Sequence, residues 1–204
     1  MQIEERDRLK HASDAMMTPK ELDHDFQIPS EFFLDWLSVA ADESRHLGWL
    51  LDRLGSMGSH YGAIPAHNNL WETAVKSSSD LIGRLACVPM VQEARALDSH
   101  TRLCNRLTSS GDAESANIID QICQEELSHV ASGVRWFEWM LSRRLPQMPP
   151  SLVYQTAVLH FSGLLVPPFN ESARLSAGMP PTFYVPISFR RSSPVPPPAP
   201  PDPS

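Results

Sequence analysis

Apolar positions recur at helical spacing through the middle of this chain, and each stripe is interrupted by a carboxylate. In the first, Trp36, Ala40, Leu47, Leu50 and Leu54 form the stripe, and Glu43 falls in the step between 40 and 47. In the second, Ile82, Ala86, Pro89, Leu97, Cys104 and Leu107 run past Glu93. In the third, Ile119 and Ile122 lead to Trp136 and Phe137, with Glu126 and His129 filling the gap and Gly133, small rather than apolar, weakening the stripe beyond them. A period of 3.6 residues turns these positions toward one face of a helix. The pattern predicts an all-α fold with helices over about 30–55, 71–77, 78–108 and 112–144, and a short apolar helix within 151–165. A loop over roughly 56–70 contains Gly58, Gly62 and Pro65. Pro89 should kink the 78–108 helix about one turn before Glu93.

Punctuation divides the chain into four parts. Residues 1–28 read as irregular or partly helical, because Pro19 interrupts any long helix and Ile3, Leu9, Met16, Met17, Leu22 and Phe26 make no sustained stripe. The helical core spans 29–145, and Pro146, Pro149 and Pro150 end it. Residues 146–187 form a C-terminal extension expected to pack on the bundle. In the last part, 188–204, seven of the eleven residues from Pro194 onward are proline. Such a segment cannot build a core and reads as disordered or polyproline II.

The interrupting residues carry the chemistry. Glu43-Ser-Arg-His46 and Glu126-Leu-Ser-His129 are two copies of Glu-x-x-His, with Glu93 between them. Residues three apart share a helix face, so each Glu and His can grip one metal or two adjacent ones. The motif alone is common on solvated helices; its place within apolar stripes gives it weight here. Unpaired carboxylates are costly to bury, and a metal is the simplest way to make three carboxylates and two imidazoles converge. A buried polar network without metal is the alternative. Heights agree with convergence. Ser109-Ser110-Gly111-Asp112 reads as a tight turn with Asp112 as N-cap, and Glu93 and Glu126 lie nearly equal distances along the chain from it.

The stretch from Pro29 to about Leu141 resembles an uncharacterised ferritin-like family of four-helix, di-iron carboxylate type. The resemblance rests on Phe32 to Trp36, Asp42-Glu43-x-x-His46, Tyr61-Gly62-x-x-Pro65-Ala66-His67, Leu70-Trp71-Glu72 and Glu93-Ala94-Arg95-x-Leu97-Asp98. It continues through Gly111-Asp112, Glu125-Glu126-x-x-His129-Val130 and Arg135-Trp136-Phe137, and a second patch covers Pro167-Pro168-Phe169-Asn170, Ala173-Arg174 and Ala177-Gly178. The resemblance implies an antiparallel bundle with a two-metal centre whose ligands are Glu43, His46, Glu93, Glu126 and His129. Glu43 and Glu126 would bridge, His46 would complete one metal, and Glu93 with His129 the other. Iron suits this donor set, as two ions of which one is held more tightly, and manganese is the next choice. The implied chemistry is oxidation of a small molecule, with hydroxylation of a small molecule or modified nucleoside and simple ferroxidase activity both fitting; catalytic residues beyond the ligands are not defined. Iron handling without turnover, or a structural remnant with an impaired site, are the readings from other classes. The family's first helix, with its acidic residue, is not reproduced in residues 1–28; Asp14 stands nearest the required level, with Glu21, Asp23 and Asp25 as alternatives, and all four read more simply as solvated residues.

Other polar residues receive ordinary roles. Asp42 and Glu125 point about 100° away from the adjacent ligand Glu, toward solvent or a neighbouring helix. Arg95 and Asp98 are candidates to orient metal ligands or to form a plain ion pair. His67 reads as a loop anchor, and Trp36, Trp49, Trp136 and Trp139 as core or boundary residues.

Composition narrows the class. The 204 residues fit one domain and carry a net charge of −7. The pI near 5.6 makes a nucleic-acid backbone a poor partner. No apolar run is long enough for a membrane helix, and the first residues lack a signal peptide's apolar stretch. Cys87, Cys104 and Cys123 read as reduced thiols of a cytoplasmic protein, without the tight spacing of a zinc motif. A homodimer is compatible with all of this.

Overall fold

The computed structural model describes residues 27–188, and the molecule is all-α over that span. The elements are α1 Ser30–Ser56, α2 Asn69–Lys76, α3 Leu81–Cys87, a π-helical segment Val88–Glu93, α4 Ala94–Ser109, α5 Ala113–Arg144, α6 Pro150–Phe161, α7 Glu171–Ser176 and α8 Pro181–Tyr184. Among the described residues the only β pairing is an isolated bridge between Leu165 and Ser188. The expectations for residues 1–26 and for the proline-rich tail after Ser188 fall outside the described residues, as do Asp14, Glu21, Asp23 and Asp25.

Helix α5 is the spine. It starts where the sequence predicts, with the Asp112 side chain accepting from the Ser115 backbone N–H at 3.0 Å after a turn through Gly111 at φ 86°. From there α5 runs antiparallel to α4, and the seam pairs Cys104 with Ala116, His100 with Asp120 and Ala96 with Cys123. On another side it runs antiparallel to α1. Arg53 reaches Asp112 and Glu114 at one end, and Asp35 accepts from the Trp136 indole N–H at the other. The main core fills with Leu85, Met90, Leu97, Val130, Phe137 and Leu141 from these helices and Val153, Tyr154 and Val158 from α6.

The single helix expected over 78–108 is instead three pieces. Pro89 has no N–H to give the helical ladder, and the chain widens into the π-helical segment before α4 resumes. Two contacts hold it. The buried Tyr154 hydroxyl donates to the Met90 carbonyl at 3.2 Å. On the other side Pro89 presses against the bare Cα of Gly133, where an added Cβ would lie 2.6 Å from the proline Cβ. Gly133, a weak point in the sequence stripe, is therefore the place where α5 admits the widened turn.

Helix α1 also departs from expectation. The residues it buries are Phe32, Val39 and His46, one heptad apart, while Leu47 and Leu50 from the expected stripe are exposed. Phe33, Leu34, Leu37 and Leu51 are exposed as well. The helix carries more leucine than its one long partner, α5, can cover, so sequence periodicity picks out a broader face than the one that packs.

Arg95 and Asp98 serve the C-terminal extension. Asp98 takes a two-pronged ion pair from the fully buried Arg174, at 2.8 and 2.7 Å, and the Arg174 guanidinium lies over the Phe169 and Tyr184 rings. Arg95 approaches Asp98 at 3.3 Å and also reaches the Val166 carbonyl. Neither residue orients the metal-type histidines. His67 is exposed together with its loop and anchors nothing described.

The contact at Gly133 gives a stability test. Gly133→Ala should destabilise the chain by about 1–3 kcal/mol, the usual cost of overpacking. Gly48→Ala, on α1 with no atom within 4 Å of the new methyl, should be neutral or stabilising by up to about 1 kcal/mol. Urea denaturation of both variants checks this, and an equal response at the two sites would refute the close approach.

Candidate metal centre

The two Glu-x-x-His motifs meet across the α1–α5 interface. His129 Nδ1 lies 3.2 Å from Glu43 and 3.3 Å from Glu126. His46 Nδ1 lies 3.5 Å from Glu43 and 3.7 Å from Glu126. Both imidazoles thus turn the same ring nitrogen toward the same pair of carboxylates. The ligand atoms of Glu43, Glu126 and His129 fall within 4.8 Å of one another. Glu126, His46 and His129 are buried, whereas the Glu43 side chain is 48% exposed at the edge of α1.

The far nitrogens are held by a second pair of carboxylates. His46 Nε2 lies 2.8 Å from Glu125, and His129 Nε2 lies 3.2 Å from Asp42. Each residue preceding a ligand-type Glu therefore holds the histidine of the opposite helix. Arg45 closes the ring with bonds to Asp42 at 2.8 Å and Glu125 at 2.6 Å. The His129 hydrogen bond first, then Arg45, holds Asp42 below the usual carboxylate range; His46 and then Arg45 do the same for Glu125. Anionic carboxylates can only accept, so Nε2 of each ring carries its proton and Nδ1 is the nitrogen offered to the centre. The sequence reading sent Asp42 and Glu125 to solvent or a neighbouring helix without seeing this crossed arrangement. The signal was present in the doubled acids Asp42-Glu43 and Glu125-Glu126, but only the antiparallel register says which histidine each meets.

Glu93 enters from the end of the π-helical segment. It feels the charges of Glu126, His129 and Glu43, and its Oε2 is buried without a hydrogen-bond partner. His46 Nδ1 is likewise buried without one. Burial, then the Glu126 charge, pushes Glu93 up to about 7. His129 goes up as well. Burial works against its charged form, yet hydrogen bonds to Glu126, Glu43 and Asp42 outweigh that and lift it to about 10. The His129 hydrogen bond in turn holds Glu43 low. In the metal-free molecule a proton on His129 Nδ1 sits between two carboxylates, where a cation fits equally well by charge. Of the five residues named from the sequence, Glu43, His46, Glu126 and His129 meet by direct contacts, while Glu93 is buried and feels the charges of Glu126, His129 and Glu43.

These features define a class: an all-α protein with a carboxylate–histidine cluster between two antiparallel helices. The chain belongs to the family described as a protein of unknown function (DUF455), which it matches over residues 10–185. A Haemophilus influenzae protein, described as uncharacterized, is 35% identical over 150 residues, covering 72% of this chain and 51% of that protein. The chain thus spans about half the length of that curated relative. No solved structure matches significantly. Among the described residues no helix is long and apolar enough to cross a membrane.

The protonation pattern predicts the pH response of the metal-free protein. Glu93 binds a proton more tightly folded than unfolded, so stability falls as pH rises from about 4.5 through about 7. His129 behaves alike, its contribution being fully present below about 6.5 and lost as pH rises through about 10. Asp42, Glu43 and Glu125 act in the opposite sense, contributing stability above the ordinary carboxylate range that is lost in acid. Urea midpoints of chelator-treated protein should therefore peak in weak acid and decline toward pH 10, by at most about 1.4 kcal/mol per pH unit for each proton. Glu93→Gln should flatten the limb between pH 4.5 and 7; an unchanged limb would show that Glu93 does not hold the extra proton.

Proposed function

We propose that this cluster is a two-metal carboxylate centre in a ferritin-like bundle, with iron as the first candidate and manganese as the second. Glu43 and Glu126 would be shared between the two ions, His46 would serve one of them, and His129 with Glu93 would serve the other. The observation that supports this reading best is the common orientation of the two imidazoles. Both offer Nδ1 to one carboxylate pair while Nε2 is tied to an outer acid, the arrangement that fixes histidine ligands at metal sites. The partnerless Oε2 of Glu93 and Nδ1 of His46 fit the same interpretation, since buried polar atoms ordinarily have partners. Carboxylate oxygen and imidazole suit iron and manganese better than copper.

When bound, such a pair of metals would supply redox chemistry with dioxygen, and our reading of the protein is an oxidase or hydroxylase of a small molecule. The chain's own residues prepare for it. Asp42 and Glu125 keep the imidazole planes fixed, and Arg45 keeps those two acids in place and offsets their charge. Glu43, half exposed, marks the side from which an ion or a small substrate reaches the cluster. Loading requires that His129 and Glu93 release their protons, so uptake near neutral pH liberates acid, weakening as pH falls below about 10 and more steeply below about 7.

The two positions are unequal in this reading. The His129 side has Glu93 and both bridges, whereas the His46 side has only its imidazole and the bridges. Fewer anionic ligands mean weaker divalent-cation binding. Anaerobic titration of metal-free protein with ferrous iron should give one tight equivalent. Glu126→Ala should abolish it, His46→Ala should barely change it, and Asp42→Asn should weaken it by about 10- to 100-fold. Two equally tight equivalents would refute the inequality, and no binding by a folded protein would refute the centre itself.

A further inference from the structure

The seam between α4 and α5 gathers a second set of ligand-type groups. His100 and Cys104 lie four residues apart on α4 and so share a face. Asp120 comes across from α5. One ligand atom from each of the three lies within 4.8 Å of the others. His100 Nε2 is 2.8 Å from Asp120 Oδ1, and the other carboxylate oxygen accepts from the Gln124 amide at 2.9 Å. That second bond holds the carboxylate with Oδ1 toward the imidazole. The Cys104 thiol has one weak contact, to the Ala116 carbonyl at 3.6 Å. Asp120 is half exposed and His100 a quarter exposed, so the cluster opens to solvent.

A His–Asp ion pair alone would account for the 2.8 Å contact, but it needs neither the thiol at its side nor the amide that aims the carboxylate. Nitrogen, sulfur and oxygen donors converging from two rigid helices are what a small thiophilic cation requires. Around zinc, metal–ligand distances of about 2.0–2.3 Å place tetrahedral donors roughly 3.3–3.8 Å apart. The three donor atoms, all within 4.8 Å of one another, lie close to that spacing. The cluster lies six or seven residues along α4 and α5 from Glu93 and Glu126, about 10 Å away at the helical rise, so it shares no ligand with the carboxylate centre. Its thiol also gives it a different preference from that hard, oxygen-rich set.

We propose that His100, Cys104 and Asp120 form a second metal site, specific for a zinc-class divalent cation and distinct from the Glu43–Glu126 centre. Three protein donors leave a fourth position facing solvent, which a water molecule fills. The Cys104 proton leaves on binding, so the thiolate is the ligand.

Cobalt tests this, because a thiolate bound to it gives a sulfur-to-metal charge-transfer absorption that carboxylate and imidazole ligands do not. Titration of the full, metal-free chain with cobalt should raise that absorption to saturation at one equivalent, and zinc should remove it. Cys104→Ser and Cys104→Ala should each eliminate it while leaving the helical circular dichroism intact. Asp120→Asn and His100→Gln should weaken cobalt binding by about tenfold or more. Cys87→Ser, on buried α3, and Glu126→Gln, in the carboxylate centre, should leave the absorption unchanged. The proposal is overturned by a folded wild-type chain that gives no such absorption, by an absorption that survives in the Cys104 variants, or by one lost on replacing Cys123 and kept on replacing Cys104.

Discussion

A carboxylate buried between two helices sets the terms for this molecule. Glu126 lies inside the α1–α5 interface, where an ion without a partner costs several kcal/mol. The interface answers in layers. His46 and His129 face it from opposite helices, Asp42 and Glu125 hold those rings from behind, and Arg45 ties the two outer acids together. His129, raised in proton affinity by Glu126, Glu43 and Asp42, offsets the inner charge, and Arg45 offsets the outer acids. Removing either buried imidazole takes away a partner of the buried Glu126, whereas the outer acids and Arg45 keep access to solvent. The antiparallel course of α1 and α5 is what lets two short motifs, each local to its own helix, exchange their supporting acids.

Glu93 depends on a different device. A helix that continued regularly from α3 into α4 would carry the Glu93 side chain on whichever face the period dictates. Pro89 prevents that, and the π-helical segment changes the rotation of α4 relative to α3. Gly133 gives up its side chain so that α5 can accept the bulge, and Tyr154 from α6 pins the Met90 carbonyl within it. The C-terminal extension therefore bears on the centre through packing. α6 supports the π-helical segment, and Arg174 fastens the chain after α6 onto Asp98 of α4, just beyond it.

Features confined to one helix were legible in the sequence. The Glu-x-x-His pairs, the Asp112 cap, the break at Pro89 and the helical fold class come from local spacing, and the structure carries each of them. Of the features made by two helices, the meeting of the two Glu-x-x-His pairs was legible from their place in the stripes, and the rest were not. The roles of Asp42 and Glu125, the Asp98–Arg174 pair and the meeting of His100 and Cys104 with Asp120 all require a register between segments distant in the chain. The α1 stripe failed for a related reason. Periodicity finds apolar faces but does not say how many partners are present to cover them, and Leu47 and Leu50 lie on the part of the face that α5 does not reach.

The same one-sided packing of α1 gives the centre its polarity. Of the two inner carboxylates, Glu126 is 8% exposed and fixed between two imidazoles, while Glu43 is 48% exposed. A wet carboxylate keeps rotamer freedom and exchanges partners at little cost; a buried one does not. Glu126 is thus the fixed reference of the cluster and Glu43 its adjustable member. At the proposed centre an ion approaching from solvent would meet Glu43 before the buried nitrogens and Glu126. The asymmetry of burial, set by how much of α1 finds a partner, therefore leaves Glu43 at the open edge of the cluster and Glu126 at its buried side.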